Sequence, residues 1–337
     1  MHELHAALEP RATLSSERII VGSGSGHLLW FDLTDEGTLR ARTELRLGGC
    51  PSFLAVSGTQ ALAVDEHGSL LYPIQHHGVE TPSFGVPSAS GGAGPAYVAF
   101  DRSGEFGIVA NYQGGGVSVF RARAMGNAVS SQQAGQNPHA VVCSPDNRHV
   151  LVPCLGSDYV AVYRFDEQSG TLEPAGRAAA PLGTGPRHIT FDATGRLVYV
   201  TFEHTSEVGV FAWDAAAGSL ELVSLVSTLG NGPDRAPNTA SHIELHPSGR
   251  ALYASNRGDD SLAVFAVDGK GGIALVQRVA TGQKPRHFSV NRRGDRLLVG
   301  NLDAASVQSF DVKDHGLHLS PLAVTHGIPQ PFFVGFC

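Results

Sequence analysis

Five polar residues scattered along the chain could do chemistry together: His139, Arg187, Glu203, Arg257 and Arg286. An imidazole can take a proton near pH 7 without a large shift of its pKa. Guanidinium forks match a carboxylate, a phosphate or the oxyanion of a tetrahedral intermediate. A glutamate serves as acid or base where burial lifts its pKa, an effect that adjacent arginines oppose. The set suits proton transfer beside a bound anion. It includes no covalent nucleophile, since the chain has no Gly-x-Ser-x-Gly elbow. No cofactor or metal motif is read either. The glycine runs at 91–94 and 114–116 lead into no helical pattern and read as loops rather than phosphate cradles.

Residues so far apart meet only if a repeating architecture brings them to one place. Seven segments open alike, at Pro51, Pro95, Pro138, Pro186, Ala240, Pro285 and Pro331, spaced 43 to 54 residues apart. Most run five or six alternating residues into a turn such as Asp101-Arg-Ser-Gly104 or Asp192-Ala-Thr-Gly195, then a second, third and fourth strand. Four short strands at this period mark the blade of a β-propeller, so an all-β, seven-bladed ring is predicted over 18–337 as one domain. Residues 1–17 read as an extension. After Pro331 only one strand remains, and Arg18 to Leu47 begins as though at a second strand. The C-terminal strand is therefore predicted to complete the N-terminal blade and close the ring.

The first strand of each blade lies nearest the axis. The residue after each opening then forms a ring at one mouth: Ser52, Ala96, His139, Arg187, Ser241, Arg286 and Phe332. Antiparallel pairing brings the end of each second strand to the same mouth. Those ends read Tyr112, Leu155, Glu203, Arg257 and Leu302, with Glu66 and Ser23 near the equivalent place in the other two units. Structural positions of a repeat favour similar residues in every copy, and these differ. Charge gathers in the third to sixth openings, which predicts a one-sided anion pocket. His139, Glu203, Arg187 and Arg257 are its catalytic candidates. Arg286, His188 and Tyr112 are its substrate-binding candidates, although the recurrence of His188 as His242 and His287 favours a structural role for that position. A blade-to-blade ion pair is the competing account of Arg187, Arg257 and Glu203. Pro233 to Asn238, in the long connection before the fifth opening, reads equally as a lid or a plain insertion.

Composition narrows the partners. The formal net charge is −7 and no Lys/Arg cluster exists, so nucleic acid and anionic membrane are poor candidates. No run approaches the ~18 apolar residues of a membrane span. The first 18 residues carry charges throughout, and a cytoplasmic location is expected. Cys50, Cys143, Cys154 and Cys337 show neither CxxC nor zinc spacing. A Cys143–Cys154 bridge across neighbouring strands is conceivable, but reduced, buried thiols are the expectation for a cytosolic protein. Oligomeric state has no signature in the sequence.

The chain resembles the seven-bladed lactonase family, which includes propeller-type 6-phosphogluconolactonases and carboxymuconate lactonising enzymes. The resemblance rests on Pro138-His-Ala-Val-Val-Cys-Ser-Pro-Asp-Asn147 with Val152-Pro-Cys-Leu155, Gly183-Thr-Gly-Pro-Arg-His188, Glu203, Ile243 to Gly249 with Asn256-Arg257, and Lys284-Pro-Arg286. It spans about residues 18–336. The family's suspected site of His, Arg, Glu and a second Arg falls by motif on His139, Arg187, Glu203 and Arg257. The resemblance implies a hydrolase of a small anionic lactone, foremost 6-phosphogluconolactone. The reverse chemistry, closure of an unsaturated diacid by a lactonising isomerase, suits the same cations. A non-catalytic binding propeller is the third reading.

Overall fold

The computed structural model describes residues 17–75, 81–230 and 237–337. Residues 1–16 of the expected extension and residues 233–236 of the expected lid or insertion lie outside the described residues.

Seven antiparallel sheets form the ring. Blade 1 joins Pro331–Phe336 to Arg18–Ser23, His27–Leu33 and Leu39–Arg46. Its C-terminal strand pairs with the N-terminal one through Ile19 opposite Phe336 and Val21 opposite Val334, as predicted. Blades 5, 6 and 7 open with Pro186–Phe191, Thr239–Leu245 and Pro285–Val290. Two blades depart from the repeat. The inner strand of blade 4 keeps only Val142–Cys143 in the ladder, tied at its opening by a bridge from Pro138 to Cys154. In blade 2 the outer edge is split, with Ser83–Phe84 and Ser88–Ala89 both pairing with Leu70–Gln75.

Burial follows position in the blade. Second strands such as Phe106–Asn111, His149–Cys154 and Leu197–Phe202 are buried at every residue, because both faces pack on neighbouring blades. Val, Ile, Leu and Phe supply most of that surface, each worth about 1.5–3 kcal/mol when fully buried. Outer strands such as Ser219–Ser227 alternate toward solvent.

The turn chemistry sets the register. Asp192 accepts backbone N–H groups of Thr194, Arg196 and Leu197 and the Thr194 hydroxyl. Gly195 follows at φ +70°, a conformation that costs glycine least. Asp101 and Asn291 repeat the device. With the turn fixed, Leu197–Phe202 leads directly into Glu203, eight residues after Gly195, whose N–H bonds to the Gly185 carbonyl at 2.8 Å.

A second regularity is a bulge. In all seven blades the inner strand spends one residue more than its partner just after the opening. The unpaired residues are Phe332, Ser52, Ala96 and Arg286 in four blades. Blades 5 and 6 skip two, Arg187 with His188 and Ser241 with His242, and blade 4 leaves His139, Ala140 and Val141 off the ladder. Bulges re-aim side chains; these release the expected mouth residues.

Candidate active site

Arg187 and Glu203 stand at the same end of blade 5 because one begins the inner strand and the other follows the second. Arg187 Nε lies 2.7 Å from Glu203 Oε2, and Arg257 Nη2, from blade 6, approaches the same oxygen at 3.0 Å. Arg187 Nη1 donates to Ser241 Oγ at 2.7 Å, and that hydroxyl donates to the Arg286 carbonyl at 2.7 Å. Arg257 Nη2 also donates to the Ala240 carbonyl at 3.3 Å. One cluster therefore ties blades 5, 6 and 7 together at the mouth.

The three charges of the cluster differ in access. The Arg187 side chain is 1% exposed, that of Arg257 13% and that of Glu203 20%. Burial lowers the pKa of Arg187 and the Arg257 charge adds to this, while Glu203 opposes both. Burial alone would raise the pKa of Glu203. Arg187 and Arg257 outweigh it and hold the carboxyl below its ordinary value. Glu203 is thus a carboxylate clamped by two guanidiniums, a better counter-ion than general acid.

His139 sits off the ladder of blade 4, its N–H bonded to the Pro153 carbonyl. Its ring meets Tyr112 edge-on at 5.3 Å and His188 at 5.2 Å. Its Nδ1 is buried without a hydrogen-bond partner among the described residues. Burial, then the Arg187, Arg286 and Arg257 charges, push its pKa well below 6.5. The imidazole is neutral at pH 7, the form that accepts a proton.

Arg286 belongs to blade 7 and reaches across blade 1. Its guanidinium covers the Phe332 ring at 4.5 Å and lies 3.9 Å from Glu66 Oε2. Glu66 is the repeat equivalent of Glu203: its N–H bonds to the Cys50 carbonyl as that of Glu203 bonds to Gly185. The sequence put Glu66 at the mouth without counting it as functional. In blade 1 the equivalent place is Gly24, whose N–H bonds to the Gln330 carbonyl, and not Ser23, which still pairs with Pro331. Three arginines and two glutamates leave the mouth formally one positive charge in excess, which suits a small anion.

His188 occupies a deeper layer. It joins Phe53, Tyr97, His242, His287 and Phe333 in a ring that fills the axis below the mouth. His188 Nδ1 and His242 Nδ1 share a 2.8 Å hydrogen bond. The recurrence of this histidine therefore has a structural basis, and His188 forms the floor beneath the site. Tyr112 lies at the mouth, where burial and then the Glu203 charge raise its pKa. A groove of about 380 Å³ runs outward beside Arg257, with Lys284 and Asp303 on its walls. The larger hollow, about 530 Å³ between the blades that open at Pro95 and Pro138, shares Tyr112 with the mouth. Cys143 and Cys154 are both free, as are Cys50 and Cys337. Among the described residues no helix is long and apolar enough to cross a membrane.

Known proteins share this architecture. A protein named 6-phosphogluconolactonase, from Bacillus subtilis, is 28% identical over 83% of this chain and 80% of its own. Another so named, from Pectobacterium carotovorum, is 30% identical over 75% of this chain and 77% of its own. The structure of the periplasmic gluconolactonase of Pseudomonas aeruginosa superposes with a TM-score of 0.86 at 25% identity, covering 96% of this chain and 99% of that one. The family profile described as "Lactonase, 7-bladed beta-propeller" matches residues 16–336, and the chain belongs to that family.

Proposed function

We propose that the protein hydrolyses 6-phosphogluconolactone to 6-phosphogluconate, with His139 as general base and Arg257 and Arg187 as the cationic wall. The observation that carries the reading is the pairing of a neutral imidazole, buried and without a hydrogen-bond partner at Nδ1 among the described residues, with a guanidinium cluster in the same mouth. Relatives named for this activity support the substrate.

In this reading His139 takes a proton from water as its oxygen bonds to the lactone carbonyl carbon. The carbonyl electrons move onto oxygen, and the oxyanion is met by Arg257, the more exposed of the two clamped guanidiniums. Collapse re-forms the C=O bond and breaks the ring C–O bond. The imidazolium returns its proton to the departing alkoxide. Glu203 holds both arginines at the mouth throughout. The groove beside Arg257 and Lys284 gives the phosphate a route away from the reacting carbon.

The proposal places the protein in the cytoplasm, which suits free thiols and a phosphorylated, membrane-impermeant substrate. A periplasmic address would point instead to an unphosphorylated lactone.

The test is turnover of freshly generated 6-phosphogluconolactone beside glucono-δ-lactone and a carboxymuconate, each corrected for spontaneous reaction. The phosphorylated lactone is expected to give the highest kcat/KM. Acceleration of the muconate alone would reverse the chemistry to lactone closure. Acceleration of none would reject catalysis at this mouth.

A further inference from the structure

The blade 2 side of the mouth carries polar atoms that the proposed reaction does not use. Ser52 is 1% exposed, yet its Oγ has no hydrogen-bond partner among the described residues, and Glu66 Oε2 is buried in the same condition. Buried polar atoms in folded proteins are nearly always paired, so two orphans at one mouth call for a ligand or water. Both sit on the mouth by the rules that place the catalytic candidates. Ser52 is the bulge residue of its blade, and Glu66 is the equivalent of Glu203. Their charge environments differ. Glu203 holds two arginines at 2.7 and 3.0 Å, whereas the one cation paired with Glu66 among the described residues is Arg286, at 3.9 Å. Arg286 also sits over the Phe332 ring at 4.5 Å.

Resting on the lactonase reading, we propose that Glu66 and Ser52, with Arg286 beside them, bind the ring hydroxyls of a polyhydroxylated lactone. A carboxylate only accepts hydrogen bonds and repels anions. Neither a phosphate nor a substrate carboxylate belongs against Glu66, and an O–H donor does. A serine hydroxyl can accept from one sugar hydroxyl and donate to another. The mouth is thereby divided: arginines of blades 5 and 6 meet the carbonyl and the anion, and blade 2 reads hydroxyls. Sites that hydrogen-bond a substrate hydroxyl discriminate strongly against analogues lacking it. This division selects sugar lactones over muconate-type substrates, which offer no such donors.

The experiment compares wild type with Glu66→Gln and Ser52→Ala, each checked for an unchanged thermal transition. Turnover is measured with glucono-δ-lactone and with δ-valerolactone, a six-membered lactone without hydroxyls. Glu66→Gln is expected to lower kcat/KM for the sugar lactone about tenfold or more, and Ser52→Ala about fivefold, while δ-valerolactone changes less than about twofold. Calorimetric binding of 6-phosphogluconate and of inorganic phosphate gives a readout independent of turnover. Glu66→Gln should weaken the sugar acid and leave phosphate equal or tighter, because a negative charge has left the mouth. Equal losses for both lactones, or equal effects on both anions, would overturn the subsite. If wild type hydrolyses no lactone, the catalytic reading fails. The binding comparison then decides the subsite alone, and no preferential loss of 6-phosphogluconate would reject it.

Discussion

Replacing Glu203 by Gln keeps the shape of the side chain and removes the charge between Arg187 and Arg257. Arg187 is 1% exposed, so its guanidinium would be left in the protein without its counter-ion. Removing one member of a buried pair costs about 3–5 kcal/mol, against about 0–1 kcal/mol for a solvated surface pair. The 20% exposure of Glu203 moves the expectation toward the lower end of the first range, about 3 kcal/mol. The assay is equilibrium urea denaturation at pH 7, repeated in acid. The arginines hold the Glu203 carboxyl below its ordinary 4.5. Its contribution is therefore fully present above pH 4.5 and is lost as pH falls through the lower native value. Wild type should exceed Glu203→Gln at pH 7, and the gap should close on acidification. Adding Arg187→Met to Glu203→Gln should recover part of the loss. A gap under about 1 kcal/mol, or one independent of pH, would refute the reasoning that Glu203 clamps a buried cation.

Three further outcomes follow from the same geometry. Glu244, near the far end of the blade 6 inner strand and 29% exposed, lies 3.7 Å from His242 Nε2, and burial of its carboxyl pushes its pKa up to about 8. The unfolded carboxyl ionises first, so wild-type stability should decline between pH 4.5 and 8; Glu244→Gln should gain on it by on the order of 3 kcal/mol by pH 8, measured by urea denaturation at several pH values. Phe333 packs on Phe53 and His287 in the closing strand, so Phe333→Ala should cost about 3–5 kcal/mol in the same assay, and a chain ending before Pro331 should fail to form a stable ring. Cys50, Cys143 and Cys154 are buried with pKa values pushed up to about 12, so a thiol reagent at pH 8 should label them only after unfolding.

The ring was legible because its signals are local and repeated. An Asp-x-x-Gly turn of the Asp192 type sets strand register by hydrogen bonds within a few residues, so spacing alone carries Glu203 to the rim that holds Arg187. The closure of blade 1 was legible for a related reason, since a single strand remained after Pro331. The bulge was not legible. It depends on which residues drop out of a ladder, and Ser52, Arg187 and Phe332 have no shared chemistry to announce it. Nor did the sequence separate the layers at the axis. Arg187 and His188 are neighbours, yet one reaches the mouth cluster and the other the floor. The tie from Arg286 to Glu66 also escaped, because it passes over a whole blade and no periodicity describes it. Residue type at the end of each second strand was the one available signal, and Glu66 carried it.

Lactone opening at this mouth with His139 as the base is tested by the pH dependence of kcat/KM for 6-phosphogluconolactone, in wild type and in folded His139→Ala. Burial and three arginines push the His139 pKa well below 6.5. The wild-type rate above background should therefore hold level from pH 8 down through 6.5 and fall only in more acid solution. His139→Ala should lose about 100-fold or more across that range. Activity retained in His139→Ala, with the wild-type profile unchanged, would contradict the account.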